Sequence, residues 1–548
     1  MSHWIIAPVL LPAMLAAILI LTARHDMLLQ RVLSLAGTLA LLVVAVGLFW
    51  QAADDTITVY LLGGWQAPFG IVMVADRLAT LMVLITAILA PLVLLYAVGT
   101  GWDARGRHFH PLYQFQLMGI MGAFLTGDAF NLFVFFEVLL IASYGLIAHA
   151  GGKERLRAST QYVMYNLLGS TLFLFALGTL YATTGTLNLA DLAVRVAALD
   201  PADSAGIRVA AVLLLMVFAV KAALLPLHFW LPGSYAAAPG PVAALFAVMT
   251  KVGAYCIIRF YTLVFPPDLS LTQGLFDTWL MPAALLTLAM GMIGVLGSQR
   301  IDRLVAFSVI GSMGMLLSAV AVFTPQGIAA ALYYAIHSTF AAAALFLLVD
   351  VLRDRRGTVG AWLQDAMPVA GGAVVAGIFF AAAIAMTGLP PLSGFIGKLL
   401  ILDAARDSAL VWWVWGTVLT GSLIAVVGFG RAGSQVFWRA HQVAGDVDLQ
   451  PQGQVRDRRT APTALPLWVV GSLLALLVAL TVLAGPVNRL LAATAAQLFA
   501  PQAYVAAVLT LPGKDFEGEV VPTTDNVVPD AAPPAGANQR LGADDEEE

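Results

Sequence analysis

Charge is what this sequence has least of. Only 11% of its 548 residues are Asp, Glu, Lys or Arg, against about 25% in soluble domains, so an ordinary water-facing surface is excluded. Cysteine occurs once, as Cys256 inside an apolar run. That excludes a disulfide framework, a Cys-based zinc site and a Cys-held iron–sulfur cluster. No run of basic residues is long enough to track phosphates, and the formal net charge is -4, so no nucleic-acid partner is expected. GxxxxGK[ST] does not occur, so ATP does not drive this chain directly. No soluble domain is present to hold a Ser/His/Asp set.

What is present is hydrophobicity, at 60% of residues, in runs of about 20 that suit a ~30 Å hydrocarbon core. The fold class is an all-α polytopic membrane protein with about fourteen transmembrane helices. Spans are predicted near 4–22, 31–51, 76–99, 111–127, 130–149, 158–182, 207–231, 239–264, 277–297, 302–323, 327–351, 369–402, 410–437 and 465–485. The first segment lacks a charged leading region and a cleavage site, and reads as a retained helix rather than a signal peptide. Arginine and lysine fall in alternate loops: Arg24 and Arg31; Arg105 and Arg107; Lys153, Arg155 and Arg157; Arg300 and Arg303; Arg353, Arg355 and Arg356; Arg431, Arg439, Arg456, Arg458 and Arg459. Positive loops face the cytoplasm, which puts both termini outside.

"FAVKAALLPLHFWLPGSY" and "AMTGLPPLSGFIGKLLILDAA" are long apolar helices interrupted by proline, each with a lysine beside the break. Proline removes a backbone donor and frees a carbonyl, which membrane depth tolerates only beside protein or a water-filled cavity. Paired breaks in corresponding places point to inverted repeats. The expected layout is a three-helix segment at 1–110, five-helix repeats at 111–264 and 265–440, a loop and fourteenth helix at 441–485, and an external segment at 486–548. From about residue 513 the chain is rich in Pro, Asp, Glu and Ala, ends "GADDEEE", and is expected to be a disordered acidic tail.

Against this background four charges are out of place. Glu137 stands in "FVFFEVLLIASYGLIA"; Lys221, Lys251 and Lys398 also lie in apolar runs, three of only five lysines in the chain. At about 2.5–3.5 kcal/mol each on insertion scales, they are too costly to be idle. Burial disfavours the charged form of an amine, so a lysine at membrane depth can exchange protons near neutral pH, and a neighbouring carboxylate tunes that exchange. Glu137 and Lys221 are the expected switch, with Lys251 and Lys398 as onward carriers. The bland alternatives are a static Glu137–Lys221 ion pair, and snorkelling of Lys251 and Lys398 to an interface. His337 sits mid-helix after Tyr333 and Tyr334, and Ser308 and Ser312 lie one turn apart on the preceding span. These groups suit a water wire between Lys251 and Lys398, or polar packing of helices. His228 follows the first break as a relay to Lys221 or as a cap for freed carbonyls. Asp302 reads as a loop ion pair with arginine, and Asp128 with Asn131 as a helix cap. Only His228 and His337 are clearly at membrane depth, so no facing pair for a b-type haem, no metal site and no cofactor is expected.

"LTGDAFNLFVFFEVLLIASYGLI", "KAALLPLHFWLPGSYAAAPGPVAALFAVMTKVGAY" and "GLPPLSGFIGKLLIL" resemble the antiporter-like subunits of respiratory complex I and of multisubunit Mrp-type cation/proton antiporters, most of all the antiporter D type. The likeness runs nearly to residue 485. It implies fourteen helices in two inverted five-helix repeats, and Glu137, Lys221, Lys251 and Lys398 as the key ionisable residues, with His337 as the relay. It further implies a secondary transporter subunit rather than an enzyme, in a bacterial inner membrane, beside A, B, C, E, F and G subunits, exchanging protons for sodium or potassium. The runner-up is a proton-pumping subunit of complex I or a membrane hydrogenase.

Overall fold

The computed structural model describes residues 2–200, 204–439, 464–514 and 520–521. The acidic tail beyond 521, and Arg456, Arg458 and Arg459, lie outside the described residues. In chain order the helices are α1 (Ala7–Leu21), α2 (Met27–Ala52), α3 (Arg77–Thr100), α4 (Phe109–Leu125), α5 (Ala129–Ala148), α6 (Lys153–Thr184), α7 (Leu189–Ala197), α8 (Ser204–Ala222), α9 (Trp230–Ala237), α10 (Gly240–Leu263), α11 (Met281–Gly297), α12 (Ile301–Ala321), α13 (Pro325–Arg355), α14 (Gly372–Thr387), α15 (Ser393–Ala404), α16 (Val411–Gly433), α17 (Leu465–Val482), α18 (Ala484–Leu498) and α19 (Gln502–Leu509). An antiparallel hairpin, β1 (Thr58–Leu61) with β2 (Val72–Ala75), joins α2 to α3, with Thr58 opposite Ala75. Among the described residues eleven helices are long and apolar enough to cross a membrane, or twelve if the bent pair α18–α19 is one span.

Short polar side chains start the helices where the apolar runs begin. The Asp26, Asp76, Asp128 and Thr324 side chains accept the backbone N–H groups of Leu29, Ala79, Asn131 and Gly327, satisfying donors that the first turn leaves unpaired. The caps expected at Asp128 and the ion pair expected at Asp302 are both present: Arg300 bonds Asp302 at 2.8 Å and also reaches Glu154 at 2.9 Å.

Every residue of α10 is buried, and α12 and α13 are nearly so. With α3 they form the centre, around which the other helices present apolar outer faces. Two predicted spans resolve into pairs. Residues 207–231 are α8 and the start of α9, and 369–402 are α14 and most of α15, each pair separated at its proline. The segment expected to be external after residue 485 is helical to Leu509 and packs back on the centre: Leu491, Thr494, Ala495, Leu498 and Tyr504 are buried.

Candidate functional site

Four of the five principal residues are almost fully enclosed: Lys221, Lys251, His337 and Lys398 are 3%, 1%, 0% and 6% exposed. Neither Lys251 nor Lys398 snorkels. Lys251 lies midway along α10, and Lys398 one turn into α15, facing inward.

Glu137 on α5 and Lys221 on α8 lie within electrostatic reach of each other but form no ion pair, and the Glu137 Oε1 and Lys221 Nζ atoms have no hydrogen-bond partner. A static ion pair is therefore not what holds these helices together. The Phe136 ring stands 5.9 Å from Lys221 Nζ. Beside the lysine, a cavity is lined by Phe136, Asn166, Ser170 and Val220. A buried ammonium without a partner is costly, whereas a neutral amine or one bonded to water in such a cavity is tolerated.

At the first break Trp230 Nε1 donates to the Val220 carbonyl at 2.9 Å, and the Leu225 amide donates to Thr287 Oγ1. The capping role expected of His228 thus belongs to Trp230; the His228 ring is buried and its Nδ1 has no partner. The second break is built differently. There Lys398 Nζ itself donates to the Thr387 carbonyl at 2.6 Å, and to Ser422 Oγ at 2.7 Å. A charged or neutral amine can make both bonds, so this lysine is anchored where Lys221 and Lys251 are free.

His337 on α13 lies near two of these lysines. Its Nδ1 bonds Ser393 Oγ at 2.9 Å, its Nε2 has no partner, and it lies within charge–charge range of both Lys251 and Lys398. The Tyr334 ring lies tilted against it, with centroids 5.6 Å apart, and Ser312 is buried beside Tyr334. The two remaining hydroxyls turn elsewhere: Tyr333 donates to the Leu480 carbonyl on α17 and Ser308 to the Val305 carbonyl of its own helix. Of the hydroxyls proposed for a wire between Lys251 and Lys398, Tyr334 is the one against His337, with Ser312 beside it.

Two buried acids were missed by sequence reasoning. Asp350 on α13 accepts from Trp102 Nε1 at 2.7 Å and from Tyr96; its signal, an aspartate in "ALFLLVDVL", was masked by the arginines that follow. Asp76, which caps α3, pairs with Arg259 on α10 at 2.6 Å, both almost wholly buried. Arg259 in "CIIRFYTL" was the available signal.

Burial pushes the Asp128 carboxyl, in the turn before α5, up to about 6, against the opposing pull of the Asn131 and Phe130 amides. A carboxyl raised on folding supports the fold fully below its unfolded value, and that support is lost as pH rises through the folded value. Asp128→Asn keeps the cap and removes the ionisation. We expect its melting temperature in detergent to match the parent near pH 4 and to exceed it increasingly up to neutral pH, measured by thermal scans across that range.

Residues 126–425 match the family described as NADH:quinone oxidoreductase/Mrp antiporter, TM. The D component of a probable K(+)/H(+) antiporter from Rhizobium meliloti (strain 1021) is 38% identical over 93% of this chain and 98% of its own length. The D component of the Na(+)/H(+) antiporter from Bacillus subtilis (strain 168) is 40% identical over 80% of this chain and 87% of its own. Among solved structures, a chain of the Mrp complex from Dietzia sp. DQ12-45-1b aligns with a TM-score of 0.81 at 27% identity, covering 93% of this chain and all of that one. A chain of respiratory complex I from Thermus thermophilus shares the fold, with a TM-score of 0.73 at 24% identity over 92% of this chain and 99% of that one. The protein is a polytopic membrane protein that belongs to the NADH:quinone oxidoreductase/Mrp antiporter family, among the D-type antiporter subunits.

Proposed function

We propose that this chain is the proton-handling D-type subunit of a multisubunit cation/proton antiporter, exchanging protons for sodium or potassium beside subunits of the A, B, C, E, F and G types. The observation that carries the proposal is the chain of buried ionisable groups from Glu137 through Lys221, Lys251 and His337 to Lys398, several of them without partners, in a protein of this family. Glu137 sets the proton affinity of Lys221. Lys251 passes protons by way of water, Ser312, Tyr334 and His337 to Lys398. Movement of the carboxylate, or a change in its charge, would shift the amine between its two forms. His228, beside the first break, is a secondary relay.

In this reading α1–α6, α8 with α9, α10–α13, α14 with α15, α16 and α17 make fourteen spans, with the arginine-rich loops and the Asp350 end of α13 in the cytoplasm of a bacterial cell. Two five-helix repeats, 111–264 and 265–440, are supported by a spacing in the helix contacts. A Cβ on Gly119 or Gly122 of α4 would strike Leu139 or Phe135 of α5; one on Gly291 or Gly294 of α11 would strike Gly311 or Phe307 of α12. All four positions recur 172 residues on, since 291 − 119, 294 − 122, 307 − 135 and 311 − 139 are each 172.

The test is pH change in everted vesicles carrying the full subunit set, driven by added sodium or potassium. Cation-dependent alkalinisation of the lumen supports antiport and identifies the cation. Proton movement that depends instead on a quinone reductant, and not on either cation, would replace this reading with the redox-pump one.

A further inference from the structure

We propose that the Asp76–Arg259 pair beneath Tyr504 is a latch, which separates the chamber beside Lys251 from the end of the molecule where α18 and α19 lie. The chamber's transport role rests on the reading of Lys251 as a proton carrier; the latch's control of access does not.

Two cavities lie along one face of α10, and the pair lines the second of them. The first is lined by Lys251, Tyr255 and Ile258 of α10, with Leu78 of α3 and Ala331 and Ala335 of α13. The second is lined by Asp76, Arg259 and Thr262, with Gln497, Pro501 and Tyr504 from the α18–α19 hairpin. Lys251, Tyr255, Arg259 and Thr262 recur at helical spacing and so share a face of α10. Arg259 stands about 12 Å along the axis from Lys251, at 1.5 Å per residue. The guanidinium grips the Asp76 carboxylate through both oxygens, at 2.6 and 2.8 Å. Its centre lies 5.6 Å from the Tyr255 ring and 5.2 Å from the Tyr504 ring. Tyr255 is itself tied to the Phe124 carbonyl at 2.6 Å. Asp76 also accepts the Ala79 amide, fixing it to α3. Three separate elements, α3, α10 and α19, therefore converge on one ion pair.

A buried ion pair is a weak device for stability, often no better than apolar residues of the same volume, and is better suited to registering one of two arrangements. The C-terminal hairpin supplies the cover: Tyr504 is 5% exposed and closes over the arginine.

The experiment uses the assembled complex with Ala331→Cys introduced beside Lys251 in a Cys256→Ala background, so that one thiol reports on the chamber. A membrane-impermeant methanethiosulfonate is applied from either face. Labelling should be slow from both faces with the latch intact. It should accelerate on the order of tenfold or more, from the α18–α19 face alone, with Asp76→Asn combined with Arg259→Gln. That pair of changes keeps the α3 cap and strands no charge. Tyr504→Ala, which alters no charge, should accelerate it likewise. Unchanged labelling in both variants overturns the latch, as does equal acceleration from both faces. In the same opened variants, vesicles should leak protons without added cation, and Lys251→Ala should stop the leak; a leak that survives Lys251→Ala overturns the latch as a gate on that chamber. Unaltered exchange in Lys251→Ala alone refutes the proton role of Lys251 and leaves the labelling result to decide the latch.

Discussion

Lys221→Arg is expected to abolish cation-dependent proton movement as completely as Lys221→Ala, with the complex still assembled. Both should fall to the background of vesicles that lack this subunit. Arginine keeps the positive charge beside Glu137 but does not deprotonate in proteins, so a group that must release its proton fails while one that only holds a charge succeeds. The geometry makes this comparison informative. Lys221 Nζ has no bonded partner, so no salt bridge awaits restoration, and the adjacent cavity with Asn166 and Ser170 gives the longer side chain some room. Glu137→Gln should also lose exchange, because it removes the charge that tunes the amine at nearly constant volume. Full exchange in Lys221→Arg, measured as the fluorescence response of a pH dye to added sodium or potassium, would reassign the lysine to a fixed electrostatic role.

Gly394→Ala carries the second large effect. A Cβ at this position would run into the Ala385 carbonyl and come within 2.9 Å of two atoms of the His337 ring. Neither neighbour yields easily: one is backbone of α14, the other is held by Ser393. Overpacking of this kind costs about 1–3 kcal/mol. Here relief requires α15 to withdraw from α13, separating His337 from Ser393 and carrying Lys398 away from the Thr387 carbonyl. Exchange should drop by about tenfold or more, a factor that about 1.4 kcal/mol in the working arrangement already supplies. Gly430→Ala on α16, where nothing lies within 4 Å of the new methyl, should leave exchange unchanged. Equal activity in the two variants would show that the contact at the second break does not matter for transport.

The membrane class and most helices were legible because each apolar run is long enough to read alone, and because a cap such as Asp128 marks a start within three residues of what it bonds. The four out-of-place charges were legible for the same local reason: their cost depends on the run that surrounds them. Partners were not. Asp76 and Arg259 lie 183 residues apart, and nothing near either one names the other. Trp230 and His228 are two residues apart at the same break, yet of the two only the indole reaches back to the Val220 carbonyl. Tyr333 and Tyr334 are adjacent, yet one reaches the Leu480 carbonyl of α17 and the other lies against His337 of their own helix. Residues 486–509 belong to the segment expected to be external, and their return to the centre rests on a narrow apolar stripe through Leu491, Ala495 and Leu498.

By itself, then, the sequence determined that this chain crosses a membrane many times, where most of its long helices lie, and that Glu137, Lys221, Lys251 and Lys398 stand in apolar runs where a charge is costly. Tertiary structure alone decided which of these are bonded, as Lys398 is, and which stand free, as Lys221 and Lys251 do. It also decided that a hairpin from the far end of the chain covers the Asp76–Arg259 pair. The reason is physical. Transfer energies act on each segment separately and can be read one segment at a time, whereas a side chain's partner depends on the packing of helices distant in sequence.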